Sequence, residues 1–350
     1  MNILESELID SSRISVVIQG LTHYVQGDEN CIFYKCINSI RKHLPHAEII
    51  LSTWKNQSCD ESVIDKALYN DEPESIMSDQ VETYRWNYNK MVVSTKNGIM
   101  ASSREYVLKF RIDLSLLGQN FFKITEKNNI PKKLNEFKIF QTPINVSSIF
   151  TLSPYCYNHF LFSLSDIVQF GKKENLLDLW SRDLLDESTI KHPVKNWYLI
   201  NDFSHFGIKM IPEQALMIGW LNFYGHKINL PYATHVTKKN LYLSELSLSL
   251  NFNLINWDQS DILYPERFLH HSAVLEKTLY EAKELNQLYQ EYDFYLLNKR
   301  FFYFLKKAYF RKSIVTNALS NLPRSILLSI LSPKLYYILR KKWRAAIKKT

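Results

Sequence analysis

Arg111 and Asp113, at the end of the run Tyr106-Val-Leu-Lys-Phe-Arg-Ile-Asp113, give the chain its clearest chemical signal. A guanidinium presents a two-pronged donor to phosphate oxygens, and a carboxylate one step away can take a divalent metal or a ribose hydroxyl. The plain alternative is an ion pair that only closes a strand, and position decides between the two. Two other apolar runs end the same way: Gln19 follows Ile14-Ser-Val-Val-Ile18, and Asn70 and Asp71 follow a shorter run. If these runs are parallel strands, their carboxyl ends share one edge of a sheet, where ligands bind in open α/β folds. Two further carboxylates have both a structural and a chemical reading. Glu213 falls in the first turn of a helix opened by Pro212, where the helix dipole favours a negative charge. Asp166 follows Ser165 at an expected helix start, where it would serve as a cap.

The elements that must position these residues read as alternating strands and helices. The β-branched run over 13–20 stops at Gln19-Gly20, as a buried parallel strand does. Helical spacing over 31–44 and a second buried run, Ala47–Trp54, complete a βαβ unit. A third strand before Asn70, a helix over 87–102 and a fourth strand over 106–110 extend the pattern, predicting an α/β domain over about 10–240. Beyond it the reading gives a strand at 138–141, a helix over 175–185, and a helix from Pro212 to Leu221. The Leu-, Ser- and Asn-rich stretch 241–265 reads as a strand or an ordered connection, with helices resuming near 271–298.

Composition removes several functional classes. The eight glycines include no G-x-G and no G-x-x-x-x-G-K-[ST], so dinucleotide, P-loop and kinase glycine loops are excluded, and G-x-S-x-G is missing too. The four cysteines contain no C-x-x-C, which suits a reducing, cytoplasmic setting, and the scattered histidines give no zinc pattern. The N-terminal sequence has no apolar signal-peptide core, and no run reaches 18 apolar residues. The net charge of +8 is unevenly spread. Residues 299–350 hold fourteen Lys and Arg with no Asp or Glu, leaving a mildly acidic body. A core domain of that sign argues against nucleic acid as a partner. On a helical projection of 297–312, Lys299, Arg300, Lys306, Lys307 and Arg311 share an arc opposite Leu297, Phe301, Phe304 and Leu305. A second such segment follows Pro333. Apolar and aromatic surface beside a basic stripe is what an interfacial helix needs, so 299–350 is expected to lie on an anionic membrane surface.

The chain resembles the WavE-type lipopolysaccharide synthesis proteins, a family similar to GT-A glycosyltransferases. The likeness rests on Ile14–Gly20, Ala47–Trp54, Asn70-Asp-Glu-Pro73, Ser94-Thr-Lys-Asn-Gly98, Tyr106–Asp113, Ser165–Gly171 and Pro212-Glu-Gln214, in the family's order. Two positions depart from the pattern: Lys90-Met91 stands where the family usually has Arg-Gln, and Ile112 where it favours Thr. The resemblance implies a Rossmann-type, GT-A-like transferase domain over 1–240, connecting helices over 241–298 and a membrane-associating tail over 299–350. It implies transfer of a sugar from a nucleotide-sugar donor to a lipid-linked lipopolysaccharide or capsule glycan, peripheral on the inner face of the cytoplasmic membrane. Asp113 would then bind Mn²⁺ or Mg²⁺, or ribose, and Arg111 would face the diphosphate with Lys96. Gln19, Gly20, Asn70 and Asp71 would line the nucleotide pocket, and Glu213 or Asp166 would act as base. Two alternatives remain open: a transferase of a phosphorylated sugar or polyol, and a non-catalytic membrane scaffold of glycan assembly.

Overall fold

A computed structural model describes residues 6–78, 81–155, 159–190, 209–275 and 278–310. The expected segment after Pro333, and the tail beyond 310 generally, lie outside the described residues.

After a short strand β1 (Ser6–Leu8), the chain builds β2 (Ile14–Gln19), α1 (Ile32–His43), β3 (Glu48–Trp54) and β4 (Lys66–Asn70), as the apolar runs predict. A hairpin, β5 (Ile76–Ser78) and β6 (Val81–Trp86), leads into α2 (Tyr88–Ala101) and the central strand β7 (Tyr106–Arg111). Short strands β8 (Ser115–Leu116) and β9 (Lys123–Thr125) precede β10 (Ile144–Ser147), β11 (Gln169–Lys172), α3 (Lys173–Trp180) and α4 (Glu187–Ile190). The remainder is α5 (Pro212–Phe223), α6 (Lys238–Asn251), β12 (Phe252–Ile255), β13 (Ile262–Leu263), α7 (Glu266–Leu269), α8 (Ser272–Leu275), α9 (Ala282–Glu291) and α10 (Phe294–Phe310).

Seven strands form the main sheet in the order β12-β10-β11-β7-β2-β3-β4. β11 alone runs against its neighbours; the β2–β3, β2–β7, β3–β4 and β10–β12 pairs are parallel. This is the mixed α/β architecture that the alternating runs predict. Side-chain alternation divides the sheet between two cores. Ile14, Val16 and Ile18 join Phe33, Cys36, Ile37 and Ile40 of α1 on one face, and Val17, Ile50 and Val107 join the helices of the other.

The Ser94–Gly98 block docks α2 onto the sheet. A Cβ on Gly98 would stand 2.2 Å from a methyl of Val17, so only glycine lets helix and strand approach this closely. Asn97 donates to Asn70 Oδ1 at 2.7 Å, and Asn70 in turn donates to Ser52 Oγ and the Thr53 carbonyl, both at 2.9 Å.

Three local expectations are corrected. Residues 138–141 form no strand, because Asn251 Oδ1 takes the Ile139 and Phe140 amides; the strand forms at 144–147 instead. Residues 238–251 fold as α6, buried all round, so no apolar stripe marks it in sequence. Asp166 opens no helix: its segment passes through a bend at Ile167 into β11, which removes the capping role expected for it.

Helix α10 crosses residue 298 without a break. Arg300, assigned by projection to the basic stripe, turns inward instead. It pairs with Glu245, fully buried on α6, through Nε at 2.8 Å and a terminal nitrogen at 2.5 Å. The hydroxyls of Tyr155 and Tyr292 donate to the same carboxylate at 2.5 and 3.2 Å. The projection missed this because Glu245 lies 55 residues away and is itself hidden in an apolar helix.

Candidate active site

The sheet order turns over beside β2. The chain runs outward through β3 and β4, then returns to lay β7 on the other side of β2. Carboxyl ends diverge at such a point, leaving a crevice that takes ligands. Gln19 and Arg111 are direct register partners there. Gly20 turns the chain away with a φ of 122°, and its carbonyl accepts from Thr53 Oγ1 at 2.8 Å. Gln19 is buried, with Ser94 Oγ 3.1 Å from its Oε1.

Arg111 grips Asp113 with both prongs, Nε to Oδ1 at 3.0 Å and a terminal nitrogen to Oδ2 at 2.9 Å. Arg267 of α7 reaches the same Oδ2. Both guanidiniums also lie over the ring of Phe268, at 5.2 and 4.9 Å from its centre. Burial works against charge on Asp113, but the bond from Arg111 and the two cations hold its carboxyl below the usual range. The departure from the family pattern at Ile112 is a packing matter: the side chain is buried and faces Gly20. Lys90, the other departure, pairs with Glu72 at 2.5 Å.

Beside this fork stand two carboxylates. Asp166 is buried and close enough for its charge to act on Arg111, Lys109 and Glu213. Its segment is pinned by Gln169, whose Nε2 donates to the Ser165 carbonyl at 2.8 Å while its Oε1 accepts from Trp180 Nε1 at 2.7 Å. Glu213 keeps part of its surface open, yet protein surrounds it closely. That burial, with the negative charge of Asp166, pushes its carboxyl up to about 8. Neighbouring Gln214 fixes the start of α5, accepting from the Ile211 amide at 3.1 Å and donating to the Leu161 and Ala233 carbonyls at 2.8 and 2.9 Å. The block Pro212-Glu-Gln214 therefore combines a helix opener, a chemically available carboxylate and an anchor.

Sequence reading passed over Lys109. It is fully buried on β7, opposite Gln169 in register, and its ammonium has no hydrogen-bond partner among the described residues. Burial pushes it down to about 8, against the pull of Asp166 and Asp113, and its nitrogen sits 5.2 Å from the centre of the Trp180 ring. The signal was present: positions two apart on a strand share a face, so Lys109 had to follow Arg111. Arg267 and Phe268 left no such signal, being 154 and 155 residues from Asp113.

The remaining predicted residues stand at the end of β4 and on α2. Asn70 ends β4, three strands from β7, roughly 15 Å at the usual strand spacing; its Oδ1 accepts from Asn97 of α2 and its amide nitrogen donates to Ser52 and Thr53 of β3. Asp71 is exposed and pairs with Lys55 at 2.7 Å. Lys96 is half-buried on α2. The donor set does not fit the metal expected at Asp113. Arg111 takes both of its oxygens, and no group of three or more His, Cys, Asp or Glu side chains able to hold a metal occurs among the described residues.

Fold and edge together define an α/β protein with a cationic, carboxylate-flanked cluster of side chains at the switch point of a largely parallel sheet. A family model described as WavE lipopolysaccharide synthesis matches residues 14–316, and the chain belongs to that family, whose role is lipopolysaccharide synthesis. Among solved structures, a nucleoside-diphosphate-sugar pyrophosphorylase from Vibrio cholerae RC9 is similar over 74% of this chain and 100% of its own. Its identity of 10% and TM-score of 0.30 are too low to bear on function. No curated protein matches.

Proposed function

We propose that this protein is a glycosyltransferase that moves a sugar from a nucleotide-sugar donor to a lipid-linked surface glycan. The observation that carries the reading is the Arg111–Asp113–Arg267 group at the switch point, with Glu213 and Asp166 beside it. Two guanidiniums can take up the charge of a departing diphosphate as the bond from the anomeric carbon to the phosphate oxygen breaks. The acceptor hydroxyl forms the new bond to that carbon, and its proton passes to a carboxylate. Glu213 suits this role, because a base near the working pH combines availability with driving force. Asp166 then holds the acceptor or shares the proton. Asp113 orients Arg111 and Arg267.

The acceptor's lipid would bring the reaction to the inner face of the cytoplasmic membrane. Support comes from α10, which leaves Tyr295, Lys299, Phe302 and Lys306 exposed at helical spacing, with Tyr295 and Phe302 at 74% and 70% exposure. Aromatic rings between lysines suit an anionic lipid surface. No described helix is long and apolar enough to cross a membrane.

The test is thermal shift and product formation with a panel of nucleoside diphosphates, CMP and nucleotide-sugars, on wild type, Arg111→Met and Glu213→Gln. One donor should raise the melting temperature of wild type and not of Arg111→Met. Glu213→Gln should keep donor binding and lose transfer. If no nucleotide or nucleotide-sugar binds, the donor-site reading fails. If a bound donor yields a phosphorylated product, the phosphosugar transferase replaces it.

A further inference from the structure

A cavity with charged and amide side chains in its wall lies on the sheet face opposite Lys109 and Arg111. It has a volume of about 250 Å³ and opens between β9, the β10–β12 pair and α9. Alternation puts it there: Ile144, Val146, Phe252 and Leu254 enter the core shared with Val107, so Asn145 and Asn253 leave the sheet the other way.

Much of its wall is rigid. Asn145 donates to the Phe121 and Lys123 carbonyls, both at 2.9 Å, and Asn253 to the Thr125 carbonyl at 2.7 Å. Asn286 exchanges two hydrogen bonds of 2.9 Å with the Leu254 backbone. Against this fixed lining two polar groups are unspent. Asn253, whose amide nitrogen is spent on Thr125, has no donor on its Oδ1 among the described residues. Lys127 is only 6% exposed, lines the cavity, and has no hydrogen bond or ion pair among the described residues. Its ammonium meets only the ring of Tyr289, 5.7 Å to the centre.

A buried ammonium with no counter-ion is costly, and burial alone pushes Lys127 down to about 7. A single structural water does not account for the space, since a water takes ~30 Å³ and the cavity is about eight times that. Pockets for drug-sized ligands run to ~300–1,000 Å³, so a space of about 250 Å³ suits a smaller molecule. Lys123 and Glu126 also contribute to the lining, and with Lys127 they leave it one charge positive.

We infer that this cavity binds a small anionic sugar, with Lys127 meeting its phosphate or carboxylate and Asn253 Oδ1 accepting from one of its hydroxyls. The site is separate from the switch-point cluster and does not depend on the function proposed for that cluster. Its ligand is a phosphorylated or an acidic sugar, and the two sources share the same anion-plus-hydroxyl chemistry.

Calorimetric titration of the full-length protein with glucose 6-phosphate, glucuronate and neutral glucose tests this. At least one of the two anions should bind about tenfold or more tightly than glucose, and which one binds identifies the source. Lys127→Met should lower that affinity by about tenfold or more without lowering the melting temperature, because it removes a buried unpaired charge. Lys127→Gln gives the same readout if the methionine variant misfolds. Arg111→Met should leave the binding intact. Equal binding of all three sugars, binding of none, or binding lost in Arg111→Met but kept in Lys127→Met overturns the inference.

Discussion

Glu213 carries a proton at pH values where an ordinary glutamate has lost it, because Asp166 and a close protein surround both oppose its charge. The stability consequence has a definite sign. Between its ordinary 4.5 and about 8, the folded carboxyl holds a proton that the unfolded one has released. Its contribution is therefore fully present below pH 4.5 and is lost as pH climbs through 8. A glutamine undergoes no such loss. The melting-temperature difference between Glu213→Gln and wild type should thus move in favour of the variant from pH 5 to pH 9. An offset that stays constant over that range would show that Glu213 is not held in its protonated form. Asp113 sits at the opposite extreme, kept ionised by Arg111 and Arg267, so one cluster holds carboxylates of contrasting character. Such separation is how neighbouring acids come to divide acid–base roles.

Elements in this fold are joined by a few polar and close-packed contacts that composition does not reveal. Gly98 admits α2 to within touching distance of Val17. Gly98→Ala should cost about 1–3 kcal/mol through overpacking, measured by denaturant unfolding; a neutral result would mean that α2 can slide outward without penalty. Arg300 joins α10 to α6 in the same decisive way. Arg300→Met would leave Glu245 buried without its cation and should cost about 3–5 kcal/mol. Adding Glu245→Gln should recover part of that loss. If the single and double variants unfold at the same denaturant concentration, the ion pair is not what fastens α10. The donor hydroxyls of Tyr155 and Tyr292 set the lower end of the range, since they continue to serve the carboxylate.

At the scale of the whole molecule, charge is partitioned between an acidic body and a basic C-terminal segment, but the mechanical boundary does not follow the charge. Ending the chain at 298 would remove Arg300 and Phe304 from the core, so loss of membrane binding there would be confounded by unfolding. A truncation after residue 310 keeps α10. It should retain the body's melting temperature and bind anionic liposomes more weakly than the full chain, with both interactions declining as salt rises. Co-sedimentation with vesicles containing phosphatidylglycerol measures this, and binding that ignores both salt and truncation would refute the electrostatic part.

The strands β2, β3 and β7 were legible because buried parallel strands need apolar runs, and the Arg111–Asp113 pair because both residues stand at the end of one such run. Helix α6 was not, since a helix buried on every side has no stripe to read. The amino-acid sequence by itself determined the α/β class, the carboxyl-edge position of Gln19, Arg111 and Asp113, and the start of α5 at Pro212. Each follows from local periodicity or a single residue's geometry. Only the tertiary structure decided that Arg267 closes on Asp113, that Lys109 and Asp166 act on each other, that Asn70 and Asp71 stand three strands away, and that Arg300 belongs to the core. Those outcomes depend on strand order and on pairings between residues up to 154 positions apart, and no local pattern encodes either.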